Sequence, residues 1–245
     1  MSNLDFIRPD WPVPSSVHAV STTRTGGVSE APYDSLNLGG RTGDDPDRVR
    51  TNRARVMEAL DLPAGPAWLA QQHGVTVVHA DDVTPDETPA DAVWSDRPGQ
   101  VCAVLTADCL PVLLCADDGT RVAAVHAGRR GLAAGVIEAA VDAMGVPGEG
   151  LHAWLGPAIG PDAYEVGTEV RSEFLQADER AYDGFRPSAA GTWLADLYIL
   201  AQRRLNNVGV GSIHGGDFST HDDAARFFSY RRDGATGRMA SLIWR

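Results

Sequence analysis

Apolar residues in this chain fall into short uninterrupted runs rather than long alternations. Such runs occupy residues 75–79, 101–106, 111–115, 121–126 and 151–155, bounded by Gly, Asp and Pro. Runs of this length read as strands, and their continuous apolar character predicts burial on both faces. Helical spacing appears elsewhere. Asp45-Pro46 forms an N-cap with proline in the first turn, and Val49, Val56 and Leu60 share one face behind it. Residues 132–144 are alanine-rich and stop at Gly145; Leu194, Leu197, Tyr198, Ala201 and Leu205 repeat at helical spacing before Gly209. Phe227-Phe228-Ser229-Tyr230, Asp233-Gly234, Gly237 and the run from Ala240 to Trp244 predict a C-terminal hairpin. Residues 81–98, rich in Asp, Pro and Thr, predict a surface excursion. Strands and helices mix without a βαβ rhythm. The expected fold is therefore α+β, a single domain over residues 1–245, rather than a doubly wound sheet.

Composition narrows the function. The 245 residues can bury a sizeable core without disulfides or metal. A formal charge of −12 argues against non-specific binding to nucleic acid or anionic membrane. All 21 basic residues are arginine, which excludes Schiff-base lysine chemistry and a Walker-type phosphate loop. Anions must be held by arginine, backbone amides or metal, and arginine's planar fork suits that role. Three cysteines crowded between positions 102 and 115 are not a secreted disulfide framework. The N-terminus lacks the pattern of a signal peptide and no run is long enough to span a membrane, so a cytoplasmic location is expected.

Candidate chemistry gathers at strand ends. Cys102 and Cys115 lie inside apolar runs and read as small buried hydrophobes. Cys109 sits at a break, beside Asp108 and ahead of Leu110-Pro111; it is either an inert core thiol or a side chain facing a cavity. His126 ends a run and leads into Ala127-Gly128-Arg129-Arg130-Gly131, where helix-start amides and arginines could receive an anion or form an ordinary corner. His73, in Gln71-Gln72-His73-Gly74, precedes another run. If these ends converge, two imidazoles and a thiolate make a three-ligand site of the catalytic zinc type, with an open fourth position. Seven histidines are too few for the coupled centres of a multicopper oxidase.

These residues also carry a family likeness. Ser21-Thr22-Thr23-Arg24, Gly26-Gly27-Val28-Ser29, Tyr33-Asp34-Ser35-Leu36-Asn37-Leu38-Gly39 and Gly43-Asp44 come first. Gln72-His73-Gly74, Thr106-Ala107-Asp108-Cys109-Leu110-Pro111, His126-Ala127-Gly128 and Leu155-Gly156-Pro157-Ala158-Ile159-Gly160 follow. Glu165-Val166-Gly167 and Phe227-Phe228-Ser229-Tyr230-Arg231-Arg232-Asp233-Gly234 complete the series. In this order the chain resembles the multicopper polyphenol oxidase, or laccase-domain, family. Its members are described as purine nucleoside phosphorylases with adenosine deaminase activity, and one branch as a peptidoglycan editing factor. The resemblance implies a compact fold of mixed sheets with flanking helices, likened to a toxin-like Cys–His hydrolase, zinc on His73, Cys109 and His126, and a purine nucleoside and phosphate as ligands. Substrates in the family include adenosine, inosine, guanosine and methylthioadenosine. Two departures stand out: Arg129 replaces a tryptophan of the family's His-Ala-Gly-Trp-Arg-Gly, and Ser219 replaces a cysteine in the editing branch's Gly-Gly-Asp-x-Cys-Thr.

Within that reading Asp108 is a candidate acid or base, or a partner that orients a histidine. Glu165 is a candidate to stabilise an oxocarbenium-like sugar. Asn37, Arg130 and Arg231 are candidates for substrate and phosphate binding. Copper can displace zinc from such a site. Two alternatives compete: an amidase on a muramyl precursor, with Cys109 activated by His126, and a non-enzymatic module stabilised by metal.

Overall fold

In chain order the computed structural model, which describes residues 4–245, begins with β1 (Phe6–Ile7), β2 (His18–Thr22), α1 (Pro46–Ala59) and β3 (Val77–His79). β4 (Ala92–Ser95), β5 (Val101–Thr106), β6 (Leu110–Ala116) and β7 (Val122–Ala127) follow, then α2 (Arg129–Ala134) and α3 (Val136–Met144). The second half comprises β8 (Leu151–Leu155), β9 (Glu165–Val166), α4 (Thr168–Ala177), β10 (Phe185–Pro187) and β11 (Trp193–Ala195). It ends with α5 (Leu197–Asn207), β12 (Ser212–Gly215), α6 (Tyr230–Asp233) and β13 (Met239–Trp244). Among the described residues no helix is long and apolar enough to cross a membrane.

Two sheets face each other. One is antiparallel, in the order β1-β2-β13-β5; the other runs β12-β8-β6-β7-β4-β3, with parallel pairs at its two ends. A small sheet, β10-β11-β9, stands beside them. Every residue of β6 and β7 is buried, as their unbroken apolar runs predict. The period of two explains why both faces are apolar. Leu110, Val112 and Leu114 of β6, with Val125 of β7, pack with α3 and α5, whereas Leu113, Cys115, Val122 and Ala124 point into the space between the sheets. There they meet Cys102 and Val104 of β5 and Ile243 of β13. The other side of the first sheet, through Val20, Ala103 and Leu242, packs with Val56 of α1. The layers thus run helix, sheet, sheet, helix.

The helix signals are read correctly at α1, where the Asp45 carboxylate accepts from the Asp47 amide at 2.8 Å. Asn52, buried on this helix, holds the preceding loop by donating to Ser29, Ser35 and Asn37 and accepting from the Val28 amide. The alanine-rich stretch is two helices, because Gly135 adopts φ 99° between them, and its first turn begins at Arg129. Leu194 belongs to β11; the helix behind it starts only after Asp196, whose carboxylate caps the amides of Tyr198 and Ile199.

Two expectations are corrected. Residues 227–244 are not a hairpin. Ser229 caps the single helical turn α6, and β13 pairs instead with β2 and β5, in the middle of a sheet. A side chain at Gly237 would fall within 2.6 Å of the Phe228 ring, so the chain folds tightly over that ring before entering β13. Nor is the whole of 81–98 a surface excursion. Ala92–Ser95 forms a strand between β7 and β3, and Asp91 just before it is buried.

Candidate functional site

The site grows from three chain breaks at one end of the two-sheet core. After Thr106 the chain leaves one sheet, and after three residues it enters the other at Leu110. Asp108 takes φ 86° in this crossing and Cys109 follows it. His126 lies at the end of β7, with the parity that faces the space between the sheets. His73 lies in a turn before β3 with φ 61°. The ligand atoms of His73, Cys109 and His126 all come within 4.8 Å of one another, with Cys109 Sγ 3.7 Å from His73 Nε2. Gly128 backs the trio: a side chain there would sit 2.8 Å from His73 Cδ2 and 3.2 Å from Cys109 Sγ.

Asp91 holds this geometry. Its Oδ1 accepts from the His73 amide at 2.8 Å and pairs with His126 Nδ1 at 2.8 Å, while Oδ2 accepts from the Gly74 amide at 2.7 Å. The Gln72 amide points at both oxygens, and the Asp91 carbonyl accepts from the His126 amide at 2.7 Å. Three successive amides around one carboxylate form a small anion nest. With Nδ1 donating to Asp91, His126 keeps the Nε2 lone pair for the cluster, the usual device for orienting a metal-bound imidazole. A borderline N/S donor set with a carboxylate-anchored histidine fits a zinc-type ion.

The electrostatics agree. Burial works against a charged Cys109, but His126 and His73 more than offset it and draw the thiol down to about 6. Burial likewise opposes a charged His126, yet Cys109 and Asp91 push it up to about 9. Burial opposes ionisation of Asp91 as well; its bonds to His126, Gly74 and His73 prevail and hold it below the ordinary carboxylate range. Burial raises the thiols of Cys102 and Cys115. In metal-free protein, iodoacetamide is therefore expected to modify Cys109 with a midpoint near pH 6, the rate falling below it as the thiolate is protonated. Cys102 and Cys115 should stay unmodified while the chain is folded. A Cys109 midpoint near that of a free thiol, about 8.5, would contradict the arrangement.

The trio opens on a cavity of about 330 Å³. Leu69 and Leu105 supply apolar wall, and the Gln71 side-chain amide clasps the Leu105 backbone from both sides, at 2.7 and 2.8 Å. Gly39, Gly40, Arg41 and Thr42 form another wall with Arg238 and Tyr230. Tyr230 is the lining aromatic and is 62% exposed. Asp86 also reaches the wall, but the Arg53 fork engages it at 2.5 and 2.8 Å.

The remaining residues singled out from sequence do not line this cavity. Both carboxylate oxygens of Asp108 are engaged, by the Thr220 hydroxyl at 2.7 Å and the Arg231 amide at 2.6 Å. Asp108 therefore orients neither histidine; it ties α6, and with it Tyr230, to the crossing that carries Cys109. Glu165 is exposed and accepts from Ser188 and Thr192. Arg231 donates to the Glu165 carbonyl and lies over the Tyr164 ring. Arg130 is exposed on α2. Arg129, at the family's tryptophan position, pairs with Glu173 at 2.9 Å. Asn37 is buried and spends its amide on Thr42, Asp44 and the amides of Gly39 and Arg238, so it shapes the wall. Sequence reading missed Asp91, Arg238 and Tyr230. The Asp-Pro-Thr composition around Asp91 hid it, although an acid directly before an apolar Ala-Val-Trp run was a usable signal.

Residues 18–245 match the family described as multi-copper polyphenol oxidoreductase laccase. The chain belongs to this family. A Pseudomonas aeruginosa relative named purine nucleoside phosphorylase is 57% identical over 98% of both chains. Purine nucleoside phosphorylase YfiH of Escherichia coli is 54% identical, again over 98% of both. Among solved structures, that of a Neisseria meningitidis protein superposes with a TM-score of 0.94 at 50% identity, covering 98% of each chain. That of YlmD from Geobacillus stearothermophilus gives 0.90 at 29% identity, covering 98% of this chain and 96% of the other. The family resemblance and the α+β fold expected from the sequence are thus borne out. Although the laccase description names several coppers, the described residues place one His–Cys–His group where a metal could bind. The other five histidines are engaged elsewhere: His18 against Trp244, His79 with Asp96, His152 and His214 with Ser212, and His221 with Asp222.

Proposed function

We propose that this protein is a zinc-dependent purine nucleoside phosphorylase, with weaker adenosine deaminase activity, working in the cavity above His73, Cys109 and His126. The observation that carries the reading is this candidate ligand trio lining a cavity that an exposed aromatic ring also lines. Relatives named purine nucleoside phosphorylase, matched along nearly the whole chain, support it. The volume suits a small-molecule site. When bound, zinc supplies Lewis acidity at the cavity base. Asp91 keeps His126 and His73 in register, Leu69 and Leu105 limit water, and the Tyr230 ring stacks on the purine. In phosphorolysis a phosphate oxygen bonds to C1′ of the ribose while the C1′–N bond breaks. The base leaves with that electron pair and takes a proton from solvent.

Zinc-loaded protein should release base and ribose 1-phosphate from adenosine or inosine only when phosphate is present. Tyr230→Ala should raise the nucleoside KM roughly 5- to 100-fold, the worth of one stacked base, and Tyr230→Phe should restore it. One observation favours the amidase alternative: the lowered thiol of Cys109 beside a raised His126 resembles an activated nucleophile pair. Turnover of a muramyl amino-acid precursor by metal-free protein, with no base released from any nucleoside, would decide for that reading.

A further inference from the structure

Arg238 is a partly buried cation in the cavity wall, and among the described residues no carboxylate pairs with it. Its place is tightly fixed. The backbone amide donates to Asn37 Oδ1 at 2.9 Å, and Nη1 donates to the carbonyls of Thr236 and Gly237, both at 2.9 Å. The stem packs where a side chain at Gly39 would stand, 2.8 Å from Arg238 Cγ, so only glycine leaves room for it. With Nη1 occupied, Nε and Nη2 have no hydrogen-bond acceptor among the described residues, on a side chain that lines the cavity.

The neighbouring acid does not neutralise it, because Asp86 is already gripped by Arg53. Burial works against the guanidinium's charge, while Cys109 and Asp108 lie near enough to act in its favour. A desolvated cation is costly unless an anion meets it. In a chain of net charge −12, leaving a guanidinium unpaired inside a cavity is a specific arrangement, not an excess of positive charge. The side-on edge of arginine presents two parallel donors, which match two oxygens of a tetrahedral oxyanion. Arg41, exposed on the same wall, adds a second positive charge.

We propose that Arg238 is the phosphate clamp of this cavity, its Nε–Nη2 edge gripping inorganic phosphate with Arg41 at the rim. The clamp rests on the phosphorylase reading and replaces Arg130 and Arg231 in that role. It places the anion on the wall between the Gly39 turn and the metal ligands, on the same wall as Tyr230.

The test compares wild type, Arg238→Met and Arg238→Lys, all zinc-loaded, by steady-state kinetics and by thermal melting with and without inorganic phosphate. Arg238→Met should raise the phosphate KM on the order of 10- to 100-fold, the loss of a charge-assisted pair of hydrogen bonds, and leave the inosine KM within about twofold. Arg238→Lys keeps the charge but loses the fork, so it should also raise the phosphate KM, by a smaller factor. Phosphate should raise the melting temperature of wild type most, that of Arg238→Lys less and that of Arg238→Met least. If Arg238→Met does not fold, the lysine variant decides by the same readings. Phosphate-dependent wild type beside a variant with unchanged phosphate KM overturns the clamp alone. Wild-type turnover indifferent to phosphate overturns the phosphorylase reading and the clamp with it.

Discussion

Replacement of Cys109 by alanine is expected to abolish metal binding and phosphorolysis while leaving a folded protein. In the proposed site Cys109 supplies the sulfur of a three-ligand set, and two imidazoles alone hold a zinc-type ion poorly. Electrophilic stabilisation by a metal is worth several kcal/mol, so turnover should fall by on the order of a thousandfold or more. The fold survives because Cys109 is only half-buried and its neighbours hold the crossing in place. Asp108 is anchored by Thr220 and by the Arg231 amide, and Leu110 and Pro111 already pair with Ala127 and His126. Metal analysis, circular dichroism and turnover on one preparation check this. Full zinc content in the variant would show that the thiol is not a ligand.

The second large effect is at Asp91. Asp91→Asn should lower metal affinity about 10- to 100-fold, the usual cost of losing the carboxylate behind a ligating histidine. It should also destabilise the protein, because the variant keeps one acceptor oxygen where the carboxylate served the His126 ring and the amides of Gln72, His73 and Gly74. Breaking a buried charged pair costs about 3–5 kcal/mol. A metal titration and a urea melt of the metal-free protein separate the two effects. Unchanged values in both would remove Asp91 from the site.

The sequence disclosed local features well and distant ones poorly. The strands at 101–106 and 151–155 were legible because each is a full apolar run between breakers. The N-cap at Asp45 was legible because the Asp-Pro pair acts on its own helix. β4 was not, since four residues between acidic and proline-rich flanks carry too little pattern, and Asp91 went unseen with it. Its partners His73 and His126 lie 18 and 35 positions away, beyond any local period. The C-terminal hairpin failed for a related reason: Asp233-Gly234 suggests a turn, but Ser241 bonds to Ser21 across 220 positions. The His73, Cys109 and His126 group could be named because each stands at a strand end and because the family resemblance points to the same three residues. Arg130 and Arg231 were preferred for their glycine and aromatic neighbours, whereas the packing that turns Arg238 into the cavity leaves no trace in composition.

The crossing from β5 to β6 divides the cavity into two inheritances. One side, with Cys109 and His126, is continuous with strands buried on both faces, so any residue gained or lost there would shift the register of two sheets at once. The opposite side has a surface turn and a single helical turn, where the exposed residues Gly40, Arg41 and Tyr230 can be exchanged with little disturbance to the core. Exchanges that alter the cavity surface without disturbing the frame are therefore concentrated at those exposed positions. The half that carries His73, Cys109 and His126 should tolerate far fewer of them, so one frame can carry cavities with different surfaces.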